Sequence, residues 1–323
     1  MALLEIRDLR VAFRVREGLV HAVNGVQLTL DRGRTLGLVG ESGSGKSVTS
    51  LTVLGLTRAP NAEIAGQVLL DGVDLVAMPE EELRNVRGRR VAMVFQDPLS
   101  SLHPMHRIGW QIIEAIQAHE TVGKKTARAR AVDLLRDVGI PSPEQRVDAY
   151  PHELSGGMRQ RVMIAMALAL DPDVLIADEP TSALDVTVQS QILELLARLR
   201  DEKGMALLIV SHDLGVIAEQ TDEIAVMYAG RIVERGTADA VIERPLHPYT
   251  RGLLASIPHV DGPRSSRLTP IPGAPPSAVS LPPGCAFHAR CPLARPSCRE
   301  RVPELAQVGE EHRIACPVVR EGL

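Results

Sequence analysis

Aromatic side chains are nearly missing from this chain. It holds three phenylalanines, three tyrosines and one tryptophan, 2% of its residues. So sparse a set cannot line a surface on which nucleic-acid bases stack. Excess positive charge is missing as well: 36 Lys and Arg stand against 40 Asp and Glu, a formal net charge of −4. No nucleic-acid partner and no binding to an anionic membrane surface is demanded by that balance. Long apolar runs are absent, the longest being Val162–Leu170, far short of the roughly 18 residues of a spanning helix. The opening MALLEIRDLR carries charges where a signal peptide is apolar. These absences lead us to expect a chain that stays in the cytosol, with any work at a membrane done through a partner. Cysteine does not occur before Cys285, and lysine occurs only at positions 46, 124, 125 and 203. The lysine scarcity reads as codon bias, and it leaves Lys46 conspicuous.

With 323 residues and 45% hydrophobic content, the chain can bury a core of one large domain plus an appendage. Apolar and polar residues alternate over 3–30, which predicts two or three antiparallel strands. TLGLVG at 35–40 is a short buried strand, followed by a Gly/Ser loop and the helical pattern SVTSLTVLGL. GQVLLDGVDLV at 66–76 predicts a hairpin turning at Asp71-Gly72. Another strand is expected at 91–95, then helices over 109–140 and 153–170, so that roughly 98–170 forms a helical insertion. Strand 173–178, helix 186–201, strand 206–213, helix 214–221 and hairpin 224–235 complete an α/β pattern. Prolines crowd residues 258–284, which predicts an extended connector.

GESGSGKS, Gly40–Ser47, fits the phosphate-loop pattern G-x-x-x-x-G-K-[ST] between a strand and a helix. Glycines let backbone N–H groups close around a phosphate chain, and the following helix adds its positive N-terminal dipole. Lys46 is placed to reach the β- and γ-phosphates and Ser47 to ligate Mg²⁺. An incidental glycine turn is the plainer alternative. VLIADEP supplies the acidic half of such a site: Asp178 for Mg²⁺ and Glu179 to orient and deprotonate the attacking water. Two solvated charges ending a strand would look the same locally.

LSGGMRQR, Leu154–Arg161, narrows the class. Ser155, Gly156 and Gly157 offer a hydroxyl and N–H groups at a helix start, an anion site without a lysine. The motif resembles the signature of ABC ATPases. The resemblance runs over residues 3–240 in the order of that family's motifs. It implies a phosphate-binding set of Gly40, Ser42, Gly43, Ser44, Gly45, Lys46, Ser47 and Val48. It also implies Gln96 as a Q-loop residue touching metal or water, Asp185 in a D-loop at a dimer interface, and His212 as the switch histidine. Phe13 stands where the family stacks an aromatic on adenine, and an ordinary core aromatic fits equally. The implied fold is a P-loop NTPase core with a mostly parallel sheet, an N-terminal antiparallel β-subdomain, a helical insertion and a small loop-rich C-terminal extension. Residues 1–245 would be the nucleotide-binding domain and 246–323 the extension. One departure is Met158, where most members of the family carry Gln.

HPYTRGLL at 247–254 and the cysteine-bearing end look like peptide- and nickel-importer ATPases, specifically a D-type subunit of the dipeptide/oligopeptide branch. That resemblance implies an ATPase powering solute import, peripheral on the cytoplasmic membrane face. It pairs with an F-type ATPase or a second copy of itself, two integral permease subunits and an extracytoplasmic solute-binding protein. Import of nickel or another small solute is the nearest alternative; a soluble ABC ATPase acting on DNA or ribosomes, or an exporter, fits less. Cys285, Cys291, Cys298 and Cys316, spaced C-x5-C-x6-C-x17-C, suit either a [4Fe–4S] cluster or Zn²⁺. Four unrelated free thiols are the alternative. The resemblance favours iron–sulfur, expected as a cross-link for a segment poor in apolar residues.

Overall fold

The computed structural model of the chain describes residues 2–182, 184–256 and 270–322. Ala183 of the SALD sequence and the first half of the proline-rich connector, 257–269, lie outside the described residues. The chain divides into two compact units, one built from 30–34 and 78–210, the other from 2–29, 35–77 and 211–322.

In the first unit, strands Val91–Val94, Val174–Asp178 and Ala206–Ser211 pair in parallel, with Val91 opposite Val174 and Asp178 opposite Val210. Val174, Leu175, Ile176 and Ala177 are all 0% exposed. A strand covered on both faces reads as an unbroken apolar run rather than an alternation, which is why DVLIAD is legible as a strand. The helices beside it bury one stripe each. Ile108, Ile112 and Ile116 recur at a spacing of four on Ile108–Gln117, as do Ala127, Ala131 and Leu135 on Lys124–Asp137, and all six are fully buried. The two helices pack on each other and on Gly156–Ala167. The small alanine side chains allow close approach.

The helix expected over 109–140 is two helices, broken between Gln117 and Lys124. Thr121, Val122 and Gly123 are poor helix formers in succession. Gln117 Nε2 donates to the Val122 carbonyl across the break at 2.9 Å.

The second unit carries two sheets. Leu4–Val15 pairs antiparallel with Ala62–Leu70, and Gly18–Leu30 and Val73–Asp74 flank that pair. At the predicted hairpin turn Asp71 and Gly72 both have positive φ, 48° and 80°, as a type I′ turn requires. In the other sheet Thr35–Val39 lies parallel to Glu223–Tyr228, which pairs antiparallel with Arg231–Thr237. Two short strands from the extension continue it: His312–Ile314 beside Arg231–Thr237, then Ala306–Gln307. The extension is therefore less loop-like than its composition implies, because its end is hydrogen-bonded into a sheet.

A buried carboxylate fastens that junction. Glu234 is 0% exposed; its oxygens accept from the Leu246 and His247 N–H groups at 2.7 and 2.9 Å and bond His312 Nε2 at 2.8 Å. His247 Nδ1 in turn accepts from the Tyr249 N–H at 3.1 Å. Burial pushes the His247 imidazole down to about 4, because a charge there would lose its water. Its folded value lies below the unfolded one, so the unfolded chain takes up a proton first as pH falls. The stability it protects is complete above about pH 6.5 and is lost progressively toward pH 4. The urea midpoint should drop by the equivalent of about 2 kcal/mol between pH 7 and 5. That slope should flatten in His247→Gln; an unchanged slope in the variant would remove His247 as its source.

Candidate functional site

The phosphate-binding loop belongs to the second unit. Thr35–Val39 is buried at every position and delivers the chain to Gly40. A Cβ on Gly40 would stand 2.1 Å from the Met227 carbonyl oxygen, so no side chain fits there. Gly43 and Gly45 take φ of 76° and 105°, a region L side chains avoid. A Cβ on Gly45 would also meet the Ala22 carbonyl oxygen at 2.3 Å. The helix Lys46–Val53 starts directly at Gly45 with no side-chain cap and no acidic residue in its first turn. Its first N–H groups are thus left for an anion. Lys46 is 5% exposed, its ammonium donating to the Gly40 and Glu41 carbonyls at 2.6 and 3.1 Å. Ser42 and Gly43 are exposed at the tip, Ser44 is buried, and Ser47 and Val48 are half-buried. Phe13 lies opposite Ala62 on the N-terminal sheet and is half-buried. His212, also in this unit, is exposed just past the end of Ala206–Ser211, where Ser211 Oγ accepts from the Asp213 N–H at 2.9 Å.

The acidic strand end belongs to the first unit. Asp178, 5% exposed, closes Val174–Asp178. Glu179 donates its N–H to the Val210 carbonyl at 2.8 Å and has φ of 46°. A non-glycine residue in that region is strained, and such strain gathers at functional sites. The Glu179 carboxylate accepts from Gln96 Nε2 at 2.7 Å. Two residues read separately from the sequence, the Q-loop amide and the water-activating carboxylate, are therefore in contact. Ser182 binds their loops to each other, its hydroxyl set 3.0 Å from the Glu179 carbonyl and 3.2 Å from that of Gln96. Sequence reading assigned Ser182 no such task.

The signature segment is in the same unit. Ser155 caps Gly156–Ala167, its oxygen accepting from the Met158 N–H at 3.3 Å. That bond uses the oxygen and leaves the hydroxyl proton to donate outward. Ser155 and Gly156 are exposed, and a Cβ on Gly157 would come within 2.9 Å of Val188 Cγ1. Asp185 caps the next helix, Val186–Lys203, by accepting from the Val188 N–H at 2.9 Å.

The cysteine expectation does not hold. Cys285, Cys291, Cys298 and Cys316 are free thiols around one small cavity whose remaining walls include Phe287, Leu293, Ala315 and Val318. Among the described residues, no three His, Cys, Asp or Glu side chains are grouped to hold a metal ion. Neither the expected [4Fe–4S] cluster nor its Zn²⁺ alternative therefore has support. Burial raises the Cys285 thiol to about 11 and raises Cys291 and Cys316 as well, because a thiolate there would lose its water. The segment is secured by other means, with Phe287 2% and Ile314 0% exposed.

The chain belongs to the ABC transporter ATP-binding family. The ABC transporter profile matches residues 23–182. A second profile, that of the oligopeptide/dipeptide transporter C-terminal region, matches 233–298. The oligopeptide transport ATP-binding protein OppD of Bacillus subtilis (strain 168) is 50% identical over 313 residues, 97% of this chain and 87% of its own. The dipeptide transport ATP-binding protein DppD of Escherichia coli (strain K12) is 47% identical over 316 residues, 98% and 96% of the two chains. Among solved structures, a dimeric bacterial ABC transporter cassette superposes with a TM-score of 0.64 at 27% identity, over 73% of this chain and 98% of its own. CbiO1 of Clostridium perfringens, part of an ABC transporter complex, also gives 0.64 at 27%, over 75% and 91%. These cassettes confirm the α/β P-loop fold.

The fit at Gly45 is testable by itself. Gly45→Ala places a methyl against the Ala22 carbonyl at positive φ. It should lower stability by about 1–3 kcal/mol in chemical denaturation. Wild-type stability in that variant would mean that the loop has room the geometry denies.

Proposed function

We propose that this chain hydrolyses ATP to drive import of di- or oligopeptides through an ABC transporter. The hydrolytic reading is carried by the 2.7 Å contact between Gln96 and Glu179 at the end of a buried strand. In this reading Glu179 takes a proton from the attacking water as its oxygen bonds the γ-phosphorus; the bridge to the β-phosphate breaks and ADP leaves. Gln96 holds the carboxylate until nucleotide arrives and then shares in placing water or metal. Lys46 and the N–H groups of residues 40–48 bind the phosphates. Ser47, Asp178 and Gln96 would hold Mg²⁺, which suits their hard oxygen donors and would neutralise charge on the phosphates. Phe13 takes the adenine and His212 the γ-phosphate.

Ser155, Gly156 and Gly157, with Asp185, serve the nucleotide of a second ATPase subunit, either an F-type paralogue or another copy. Residues 1–245 act as the nucleotide-binding domain, with about 98–170 as its helical part, and 246–323 as an extension. Peptide as the cargo is supported by the relatives' names and by the C-terminal profile. Among the described residues no helix is long and apolar enough to cross a membrane, so the substrate path belongs to two permease subunits, fed by a solute-binding protein. Phe95, Leu99, Met105 and Trp110, near Gln96 in the sequence, are exposed large apolar side chains of the first unit, and a permease on the cytoplasmic membrane face would cover them.

Glu179→Gln should cut turnover in the reconstituted complex by about 10²–10⁴ while ATP still binds. Near-normal ATPase activity would exclude Glu179 as the base. Lys46→Ala should weaken ATP binding itself in an equilibrium titration, and unchanged affinity would contradict the phosphate-loop assignment.

A further inference from the structure

Of the chain's few aromatic side chains, three gather behind the phosphate loop. The Tyr228 and Tyr249 rings lie tilted against each other with centroids 4.6 Å apart, and Phe287 lies 5.3 and 5.4 Å from them. Phe287 comes from the cysteine-bearing segment and brings Arg290 with it. The Arg290 side chain is only 5% exposed and makes a two-pronged ion pair with Glu41: Nη1 to Oε2 at 2.7 Å, Nη2 to Oε1 at 3.0 Å. Its other donors reach the Tyr228 hydroxyl at 3.2 Å, the Pro272 carbonyl at 3.0 Å and the Ile271 carbonyl at 3.5 Å. A guanidinium has five N–H bonds, and all are matched here.

Glu41 is the first variable residue of the phosphate loop. Its N–H donates to the Tyr249 hydroxyl at 2.8 Å, and its carbonyl accepts from the Lys46 ammonium at 3.1 Å. The loop is thus held at one residue from three directions: side chain by Arg290, N–H by Tyr249, carbonyl by Lys46.

We propose that Arg290 is a positioning residue for the phosphate loop, through which the fold of the C-terminal segment sets the affinity for ATP. This rests on the reading that the loop binds ATP, and it assigns the extension a part in that binding. Two physical effects act in the same direction. The fork fixes the Glu41 backbone, and with it the orientation of the N–H groups that follow. It also neutralises a carboxylate beside the place of a polyphosphate. Without Arg290 that carboxylate would oppose the incoming negative charge.

The charge effect gives a signature that loss of folding would not. Arg290→Met should raise the Kd for ATP, read by fluorescence titration of the full-length protein, roughly tenfold, the scale of one uncompensated charge at a protein surface. Adding Glu41→Gln to that variant should bring the Kd back toward wild type, because the unpaired charge is then gone. Equal Kd values for Arg290→Met and wild type, or a double variant weaker than the single one, would overturn the proposal. Arg290→Lys keeps the charge and loses the fork, and covers the case in which Arg290→Met does not fold. In Arg290→Lys, amide hydrogen exchange at residues 41–47 should quicken while that of Thr35–Val39 stays slow; unchanged exchange at 41–47 would overturn the positioning role. Wild-type protein that fails to bind ATP would refute the functional reading instead, and the exchange comparison would still decide the clamp.

Discussion

A phosphate chain can be wrapped by backbone N–H groups only if no side chain stands in the way. The packing behind Gly40 and Gly45 meets that requirement. The Met227 carbonyl closes on Gly40 and the Ala22 carbonyl on Gly45, so the loop is pressed from behind by two different strands. Its own outward-facing glycine, Gly43, meets nothing within 4 Å. The loop is thus tight on its inner side and open at Gly43 on its outer. The buried strand before it and the uncapped helix after it supply direction and dipole.

Much of this was legible because each motif is short and its chemistry is local. Gly40–Ser47 needs glycines at fixed offsets, Asp178 and Glu179 follow an apolar run, and Ser155 precedes two glycines at a helix start. Such patterns depend on neighbours in sequence, and the family resemblance ordered them. The hairpin at Asp71-Gly72 was readable for the same reason: both residues tolerate positive φ. The helix break after Gln117 was harder, since the apolar period continues on both sides and only a weak local preference interrupts it.

Contacts between distant positions were not legible. Arg290 and Glu41 stand 249 positions apart, and no spacing rule joins them. The cysteines show the complementary error. Confined to one segment, they suggested a cross-link because the local composition is poor in apolar residues. That inference overlooked what the rest of the chain supplies: a sheet edge for His312–Ile314, a buried Glu234 for His312, and two tyrosines for Phe287. Composition counts what a segment owns and misses what it borrows.

Trp110 has a use that its chemistry alone would not suggest. It is the chain's single indole, 46% exposed and stacked at 4.2 Å on His106. It sits on the helix Ile108–Gln117, a short way along the chain from Gln96. The protein therefore carries one native indole fluorophore, exposed on the first unit with a ring beside it that can quench. Excited at the red edge, where tyrosine does not absorb, the unlabelled chain emits from that one site, and a partner settling there would change its colour and lifetime without any dye being attached.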